Sequence, residues 1–392
     1  MMVGKCSVSA EKSATVIPGM TKEAVLKLLE DAFVDLVQKK KVNLTSTQSA
    51  SGQHDEHRQN ADPPLSAALG LITRSLSKKD PEYHEPGARE AEEAEMTKLE
   101  NVSTWDEAPL PNFVARRSSK ATFVRMFCLL GIKHSENALL AKYKARCVAQ
   151  GNDVRGSDGA EVTWSDTSST PSSMDIMRSL ITWSLSQDVP PMLADAVQAY
   201  VQASLPDSYE CYINIPPHLW TEKMRTAAEA VMSKYECKES QLVWRLRRPL
   251  YGLSVSGALW QRHLGTKMKT KGWAEVPGVP STWYKLFKDA KGVEHMSICS
   301  AYVDDLLLCG QCQDQAWADI TSIVSVTEPE KLTRLLGVDH TFKKTDGFWT
   351  CDISMTSYLL DAVAKYDQKA SDLGGPRRHN KAMPPWKCFS PS

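Results

Sequence analysis

Residues 296–308 read MSICSAYVDDLLL, and this stretch decides the fold. It is apolar on both sides of two adjacent acids, Asp304 and Asp305. A short apolar run is typical of a buried strand, whereas a buried carboxylate without a partner is costly. A tight hairpin satisfies both demands, because its strands bury the apolar side chains while its bend exposes the acids. We therefore predict two antiparallel strands that meet at the Asp pair.

A third acid, Asp195, ends a short apolar stretch at the start of MLADAVQAYVQAS, residues 192–204. This pattern predicts a strand that runs into a helix. Asp195 closes the strand, and on its own it would be an ordinary strand-end or capping residue. Nucleotidyl transfer by two metals needs carboxylates from two places in the chain, with the ions about 4 Å apart. Mg²⁺ binds a few carboxylates together with substrate phosphates. Asp195, Asp304 and Asp305 could supply that set.

Composition limits the class of protein. The chain has 392 residues, 42% of them hydrophobic, which suits a globular core. It carries 47 Lys+Arg and 47 Asp+Glu, so any attraction to nucleic acid must be local. The ten cysteines are scattered, and no apolar run reaches the ~18 residues that a membrane helix needs. These features predict an intracellular protein, either cytoplasmic or nuclear.

The pattern along the chain predicts four parts. Residues 1–44 include an amphipathic stretch at 21–41, which predicts an N-terminal helical extension. Residues 45–80 are polar and without a period, which is typical of a flexible linker. Residues 81–370 mix helical and strand periods and form the main domain, and residues 371–392 are expected to be a disordered tail.

Two motifs that resemble metal sites carry little weight. His54 and His57 lie within the polar linker, where such pairs arise by chance. Cys309 and Cys312 form the one CxxC pair of the sequence, whereas a structural zinc site usually needs two. We expect these cysteines to pack or to lie exposed after the Asp-Asp hairpin.

A basic stretch runs from residue 240 to residue 271 without any acid. Its cations are Arg245, Arg247, Arg248, Arg262, Lys267, Lys269 and Lys271. Aromatic residues are interleaved with them, as in surfaces that bind nucleic acid through phosphates and bases. A solvated basic face explains the stretch equally well, so its charge alone does not decide between the two.

Six segments lie in the order of one family's motifs. They are LENVSTW (99–105), YKARCVAQG (143–151), DAVQAY (195–200), LYGL (250–253) followed by Trp260, YVDD (302–305) and LLGVD (335–339). YVDD resembles the YxDD box of reverse transcriptases, and the whole series resembles the reverse transcriptase of copia-type retrotransposon polyproteins. The resemblance covers about residues 85–366.

The resemblance implies an α+β fold of the right-hand polymerase type, with fingers, a palm built on an antiparallel sheet and a partial thumb. It implies RNA-directed DNA synthesis from dNTPs on a primed RNA or DNA template, in an intracellular particle or the nucleus. Two Mg²⁺ ions, or Mn²⁺, would be held by Asp195, Asp304 and Asp305.

The resemblance also assigns roles to further positions. Tyr200 would lie under the sugar and exclude a ribose 2′-OH, and Lys144 and Arg146 would contact the triphosphate. Ala196 and Tyr251 would complete the nucleotide pocket. The positions expected to bind nucleic acid are Arg245, Arg247, Arg248 and, near the primer end, Gly337.

The sequence also departs from the family. Residues 254–257 read SVSG where the family has KQAP, so a Lys and a Gln near the nucleotide are missing. Nothing after residue 366 resembles a ribonuclease H, and nothing before residue 80 resembles an integrase. An alternative is therefore an inactive relic that keeps the fold and binds nucleic acid. A nucleotide cyclase with a similar palm would leave the fingers and LYGL segments unexplained.

Overall fold

The computed structural model describes residues 4–7, 73–133, 141–165 and 167–356, together with four single positions of a terminal helix, 359, 362, 363 and 366. The helix predicted at 21–41, the two linker histidines and the tail at 371–392 lie outside these residues. So does most of the predicted linker.

The described part is a mixed α and β structure. Its strands are β1 (Gly4–Ser7), β2 (Thr73–Ser75), β3 (Leu110–Pro111), β4 (Thr122–Lys133), β5 (Lys142–Ala149), β6 (Arg155–Gly156), β7 (Met192–Asp195), β8 (Cys211–Asn214), β9 (Leu242–Arg245), β10 (Ala274–Glu275), β11 (Thr282–Lys288), β12 (Glu294–Tyr302), β13 (Asp305–Gly310), β14 (Glu330–Lys331), β15 (Arg334–Leu335), β16 (Val338–Thr345) and β17 (Phe348–Ser354). Its α-helices are α1 (Pro86–Asn101), α2 (Asn112–Ala115), α3 (Met174–Ser186), α4 (Ala199–Gln202), α5 (Glu222–Tyr235), α6 (Ser256–Thr270) and α7 (Gln313–Thr321).

The central sheet has six strands in the order β10-β11-β12-β13-β7-β14. The predicted hairpin forms its middle, since β12 and β13 pair antiparallel with Tyr302 opposite Asp305. On the other side of β13, Asp305 lies opposite Asp195 of β7. The register therefore brings the ends of two separate strands, and the acids on them, to one edge of the sheet.

The apolar run of β13 is continuous because both faces of the sheet are covered. Leu306 and Leu308 belong to a buried cluster with Trp260 of α6 and Trp317 of α7. Leu307 belongs to a second cluster, built around α3. Helix α3 begins at Met174, after the N-cap residue Ser173, whose hydroxyl accepts a hydrogen bond from the backbone N–H of Ile176.

A second sheet runs in the order β2-β4-β8-β9-β3, with β5 and β6 also paired to β4. Its main core includes Met96 and Leu99 of α1 together with Trp244 of β9. The end of the predicted linker belongs to this sheet. Strand β2 pairs with β4, and the next residue, Leu76, is buried against Leu130. Residues 73–76, at the end of the predicted linker, are therefore part of this sheet and its core.

A third sheet has the order β1-β17-β16-β15. Its β16–β17 hairpin turns at Asp346 and Gly347, which both have positive φ. Positive φ at both central residues is the requirement that Asp-Gly meets in two-residue hairpins. Within the described residues, no helix is long and apolar enough to cross a membrane.

Candidate active site

The three acids predicted as metal ligands lie together. Asp195 ends β7 and lies opposite Asp305, which begins β13, and their carboxyl groups are close enough for Asp195 to raise the pKa of Asp305. Asp304 lies in the turn between β12 and β13, where its carbonyl accepts a hydrogen bond of 2.7 Å from the backbone N–H of Ala196. The residue that follows β7 is therefore hydrogen-bonded directly to the turn that contains Asp304 and precedes Asp305.

The electrostatics of this acid group are unfavourable without a cation. Burial raises the pKa of Asp305 to about 7, with further contributions from the charge of Asp304 and from Asp195. Burial also raises the pKa of Asp304, although Arg146 and Lys144 oppose this rise. Carboxylates that cannot all ionise share protons until a positive charge compensates them.

Contacts from distant elements hold the acidic turn in place. The indole N–H of Trp260, on α6, donates to the carbonyl of Val303 at 2.6 Å. The hydroxyl of Thr327 accepts from the backbone N–H of Asp195 at 2.9 Å. Val303 itself has a φ of 60°, a conformation that a β-branched residue rarely adopts. Strain of this kind persists where the surroundings enforce it, and it is concentrated at functional sites.

Two cations of β5 face the acids. Lys144 and Arg146 are two residues apart and so lie on the same face of the strand. Burial lowers the pKa of Lys144, and the charge of Arg146 lowers it further, whereas the charge of Asp304 raises it. The guanidinium carbon of Arg146 lies 5.8 Å from the ring centroid of Tyr251. The space between β5 and the acids is therefore positively charged on one side and negatively charged on the other.

Close backbone contacts between two motifs fix the position of β5. The backbone N–H of Ala149 donates to the carbonyl of Tyr251 at 2.7 Å. A side chain at Gly252, which has a φ of +92°, would place its Cβ 2.0 Å from the carbonyl oxygen of Ala149. At Gly151 the corresponding distance, to the carbonyl oxygen of Gly252, would be 2.1 Å. Only glycine allows this approach, which seats Arg146 over the LYGL loop.

Two tyrosines line the space beside the acids. The ring centroids of Tyr200 and Tyr251 are 4.6 Å apart, with the rings tilted by 50°. Burial followed by the charge of Asp304 raises the pKa of Tyr251 to about 12, and the same two causes raise the pKa of Tyr200. Ala196 is buried in an isolated bridge with Val326. Its contribution is made through its backbone N–H.

The remaining predicted site residues do not join this group. Arg245 pairs with Asp207 at 2.8 Å, and Arg247 holds Asp106 through Nε and Nη2. Arg248 donates to backbone carbonyls, including that of Val102 at 2.6 Å. These three guanidinium groups have structural partners, and their contact with nucleic acid stays a prediction.

Gly337, predicted near the primer end, lies in the turn between β15 and β16 with a φ of 79°. The preceding residues, Leu335 and Leu336, belong to the apolar cluster against which Tyr302 packs. This cluster connects the third sheet to the acidic hairpin. Contact of Gly337 itself with a primer stays a prediction.

Three further residues contribute that the sequence did not single out in these roles. Trp260 and Thr327 hold the strand ends, as described above. Glu95, half-buried on α1, has a pKa raised by burial, while Lys98, Arg146 and Lys144 oppose the rise. Its only signal in the sequence was membership of an acidic run, which does not show that it faces the cations of β5.

The residues fit a divalent cation by their chemistry. Among the described residues, no group of three or more His, Cys, Asp or Glu side chains converges as a set of metal ligands. The three acids are instead close enough for Asp195 to contribute to the raised pKa values of Asp304 and Asp305. Oxygen donors with excess negative charge are what Mg²⁺ prefers. Cys309 is buried on the α3 side and Cys312 packs on the α7 side, so this pair does not converge.

Comparison with known proteins agrees with this geometry. A family model described as reverse transcriptase (RNA-dependent DNA polymerase) matches residues 129–327, a range that contains the acids, both β5 cations and both tyrosines. It spans half of the chain, and the chain therefore belongs to the reverse transcriptase family.

The similar curated proteins place the chain among reverse transcriptase domains of copia-type retrotransposons. It is 27% identical over 281 residues to the retrovirus-related Pol polyprotein from transposon RE2 of Arabidopsis thaliana, covering 71% of this chain and 17% of the relative. It is 22% identical over 305 residues to that from transposon TNT 1-94 of Nicotiana tabacum, covering 75% and 20%. The chain spans about a fifth of the length of these polyproteins. The predicted resemblance is confirmed.

Proposed function

We propose that this chain is an RNA-directed DNA polymerase domain that joins a dNTP to a primer 3′-OH by two-metal nucleotidyl transfer. The observation that carries the proposal is the juxtaposition of Asp195, Asp304 and Asp305 with Lys144 and Arg146 across one space. A triphosphate with its divalent cations has negative and positive groups that complement both sides.

In the reaction, the primer 3′-OH loses its proton to solvent and its oxygen attacks the α-phosphorus, while the bond from that phosphorus to the bridging oxygen of the β-phosphate breaks and releases pyrophosphate. Bound Mg²⁺ would lower the pKa of the 3′-OH and neutralise charge on the phosphates. Asp195, Asp304 and Asp305 are the residues that would hold it, and the proton on Asp305 would be displaced as the cation binds. Lys144 and Arg146 orient the triphosphate, Arg146 through the fork of its guanidinium.

Tyr200 is proposed to select the sugar. Its ring packs against Tyr251, and burial together with the charge of Asp304 raises the pKa of its hydroxyl. Both observations support a position beside the reacting groups. A bulky ring under the sugar would clash with a 2′-OH and would favour dNTPs. Removal of the ring should therefore raise the use of ribonucleotides relative to deoxyribonucleotides.

The sheets correspond in our proposal to the parts of a right hand. The sheet with β4 and β5 would be the fingers, the six-stranded sheet the palm, and β15–β17 the start of a thumb. The main domain of this proposal is 81–370, extended at its start to residue 73. Primed template would bind across the palm through its phosphates.

The test is primer extension by the full chain. A poly(rA) template, an oligo(dT) primer and dTTP are supplied with Mg²⁺ or Mn²⁺, and a chelator removes the metal in a parallel sample. We expect extension that requires the metal, and a Tyr200→Ala variant that incorporates UTP more readily than the parent. A folded chain that binds the primed template but never extends it would contradict the proposal and support the relic.

A further inference from the structure

A polar cavity lies on the other side of helix α4 from the tyrosine pair. Its volume is about 710 Å³, and it is walled by the end of α1, by α4, by α6 and by the segment after α7. Among the described residues that line the cavity there is no Asp or Glu, whereas Arg248, His263 and Lys267 all line it. The remaining polar groups are amides and hydroxyls, such as those of Ser103 and Ser325.

Two basic residues of α6 lie on one face of the helix. His263 and Lys267 are four residues apart on the helix, so their side chains are neighbours. Burial lowers the pKa of His263, and the charges of Lys267 and Arg248 lower it further. These charges disfavour protonation of the His263 ring, and a negative charge placed among the three groups would compensate Lys267 and Arg248.

These groups have spare capacity to bind a ligand. Lys267 is half-buried, and within the described part of the chain its ammonium group has neither a hydrogen bond nor an ion pair. His263 stacks on Trp260 at 6.0 Å and has no hydrogen-bond partner there either. Arg248 uses Nε and Nη1 on backbone carbonyls, which leaves the two donors of Nη2. The buried Nε2 of Gln198 also lacks a partner among the described residues.

We propose that this cavity binds a phosphate-bearing small anion, at a site separate from the acid group. Half-buried cations without counter-charges are costly, and phosphate oxygens would supply both the charge and the acceptors that the lining lacks. The mixture of hydroxyl, amide and cationic donors suits a diphosphate, and the cavity has ample room for one. The site lies across α4, the short helix that follows β7, from the acid group.

The experiment is calorimetric titration of the full chain with inorganic pyrophosphate in the presence of a chelator, so that metal-dependent binding at the acids does not contribute. Inorganic phosphate and ATP serve as separate arms, and they show whether the site takes a single phosphate, a diphosphate or a nucleotide. We expect one site per chain. The variant Lys267→Gln with His263→Gln should weaken binding at least about tenfold, as the loss of charge-assisted hydrogen bonds predicts.

The matched control is Lys269→Gln, which removes the same charge from the same helix at an exposed position paired with Glu275. It should bind pyrophosphate like the parent, and Lys267→Arg should retain most of the affinity. Absence of phosphate binding by the parent, or equal weakening in Lys269→Gln, would overturn the proposal. The proposal would also be overturned if the chain bound a single-stranded oligonucleotide through Lys267 but did not bind pyrophosphate. The cavity would then be part of a nucleic-acid binding path.

Discussion

The β12–β13 and β16–β17 hairpins both turn through two residues, but their turn residues differ in how readily they adopt a positive φ. The second uses Asp346 and Gly347, residues that accept positive φ at little cost. The first places Val303 at a φ of 60° and follows it with Asp304. The ordinary turn is specified by its own two residues, whereas the strained turn depends on Trp260 and on Ala196, the residue after β7. The comparison indicates that the strain is maintained to present an acid at the site.

The largest expected effect on stability concerns the charge of the acidic hairpin. The pKa of Asp305 rises from 3.8 to about 7 on folding, so the folded chain binds more protons in this window. The free energy of unfolding of the parent therefore falls as the pH rises through the window when no divalent metal is present. Asp305→Asn lacks this penalty and should gain stability relative to the parent between about pH 5 and about pH 8.

Urea unfolding of both proteins in chelator measures this difference. Asp346→Asn in the other hairpin is the control, and it should follow the parent at each pH. Mg²⁺ should stabilise the parent and the control at about pH 8 but not Asp305→Asn, because the cation replaces the proton. An equal pH dependence in all three proteins would show that the acids do not repel one another.

The next effect is the exchange of turn residues. Gly347→Val should cost about 1–3 kcal/mol, since it places a β-branched residue at a φ of 83° without outside support. Val303→Gly should change stability by less than about 1 kcal/mol, because relief of strain is offset by the added freedom of the unfolded chain. The same variant should lower the rate of primer extension, since the turn loses its fixed geometry. Equal losses of stability in both variants would remove the distinction between the hairpins.

A further effect of similar size separates two tryptophans that donate hydrogen bonds of the same length. The indole of Trp260 donates to Val303 from a buried position, whereas that of Trp349 donates to the exposed Asp188. Trp260→Phe should cost about 1–3 kcal/mol because it leaves a carbonyl without its donor. Trp349→Phe should cost less than about 1 kcal/mol. Thermal unfolding of the two variants measures this, and a larger loss at Trp349 would contradict the proposed support of the turn.

The sequence predicted those parts of the molecule that local pattern determines. The hairpin at Asp304 and Asp305 followed from apolar residues around two acids, and the strand before Asp195 followed in the same way. The partners of Arg245 and Arg247 were hidden, because Asp207 and Asp106 lie far away in the sequence.

Packing between distant segments accounts for the rest. The approach of β5 to the LYGL loop depends on two glycine contacts that join residues about 100 positions apart, a separation that no local pattern encodes. Only the resemblance to a family pointed to Lys144 and Arg146 in the sequence. The strain at Val303 and the support from Trp260 are likewise properties of the folded chain, although both residues lie within recognised motifs.

The central claim is that the acidic hairpin is the catalytic one. Metal-dependent primer extension by the full chain tests it most directly when Asp304→Asn is compared with Asp346→Asn, since both variants remove one carboxylate from a hairpin turn. We expect Asp304→Asn to abolish extension while its unfolding transition remains cooperative, and Asp346→Asn to extend the primer like the parent. Extension by Asp304→Asn at the parent's rate would show that the acidic hairpin is not catalytic.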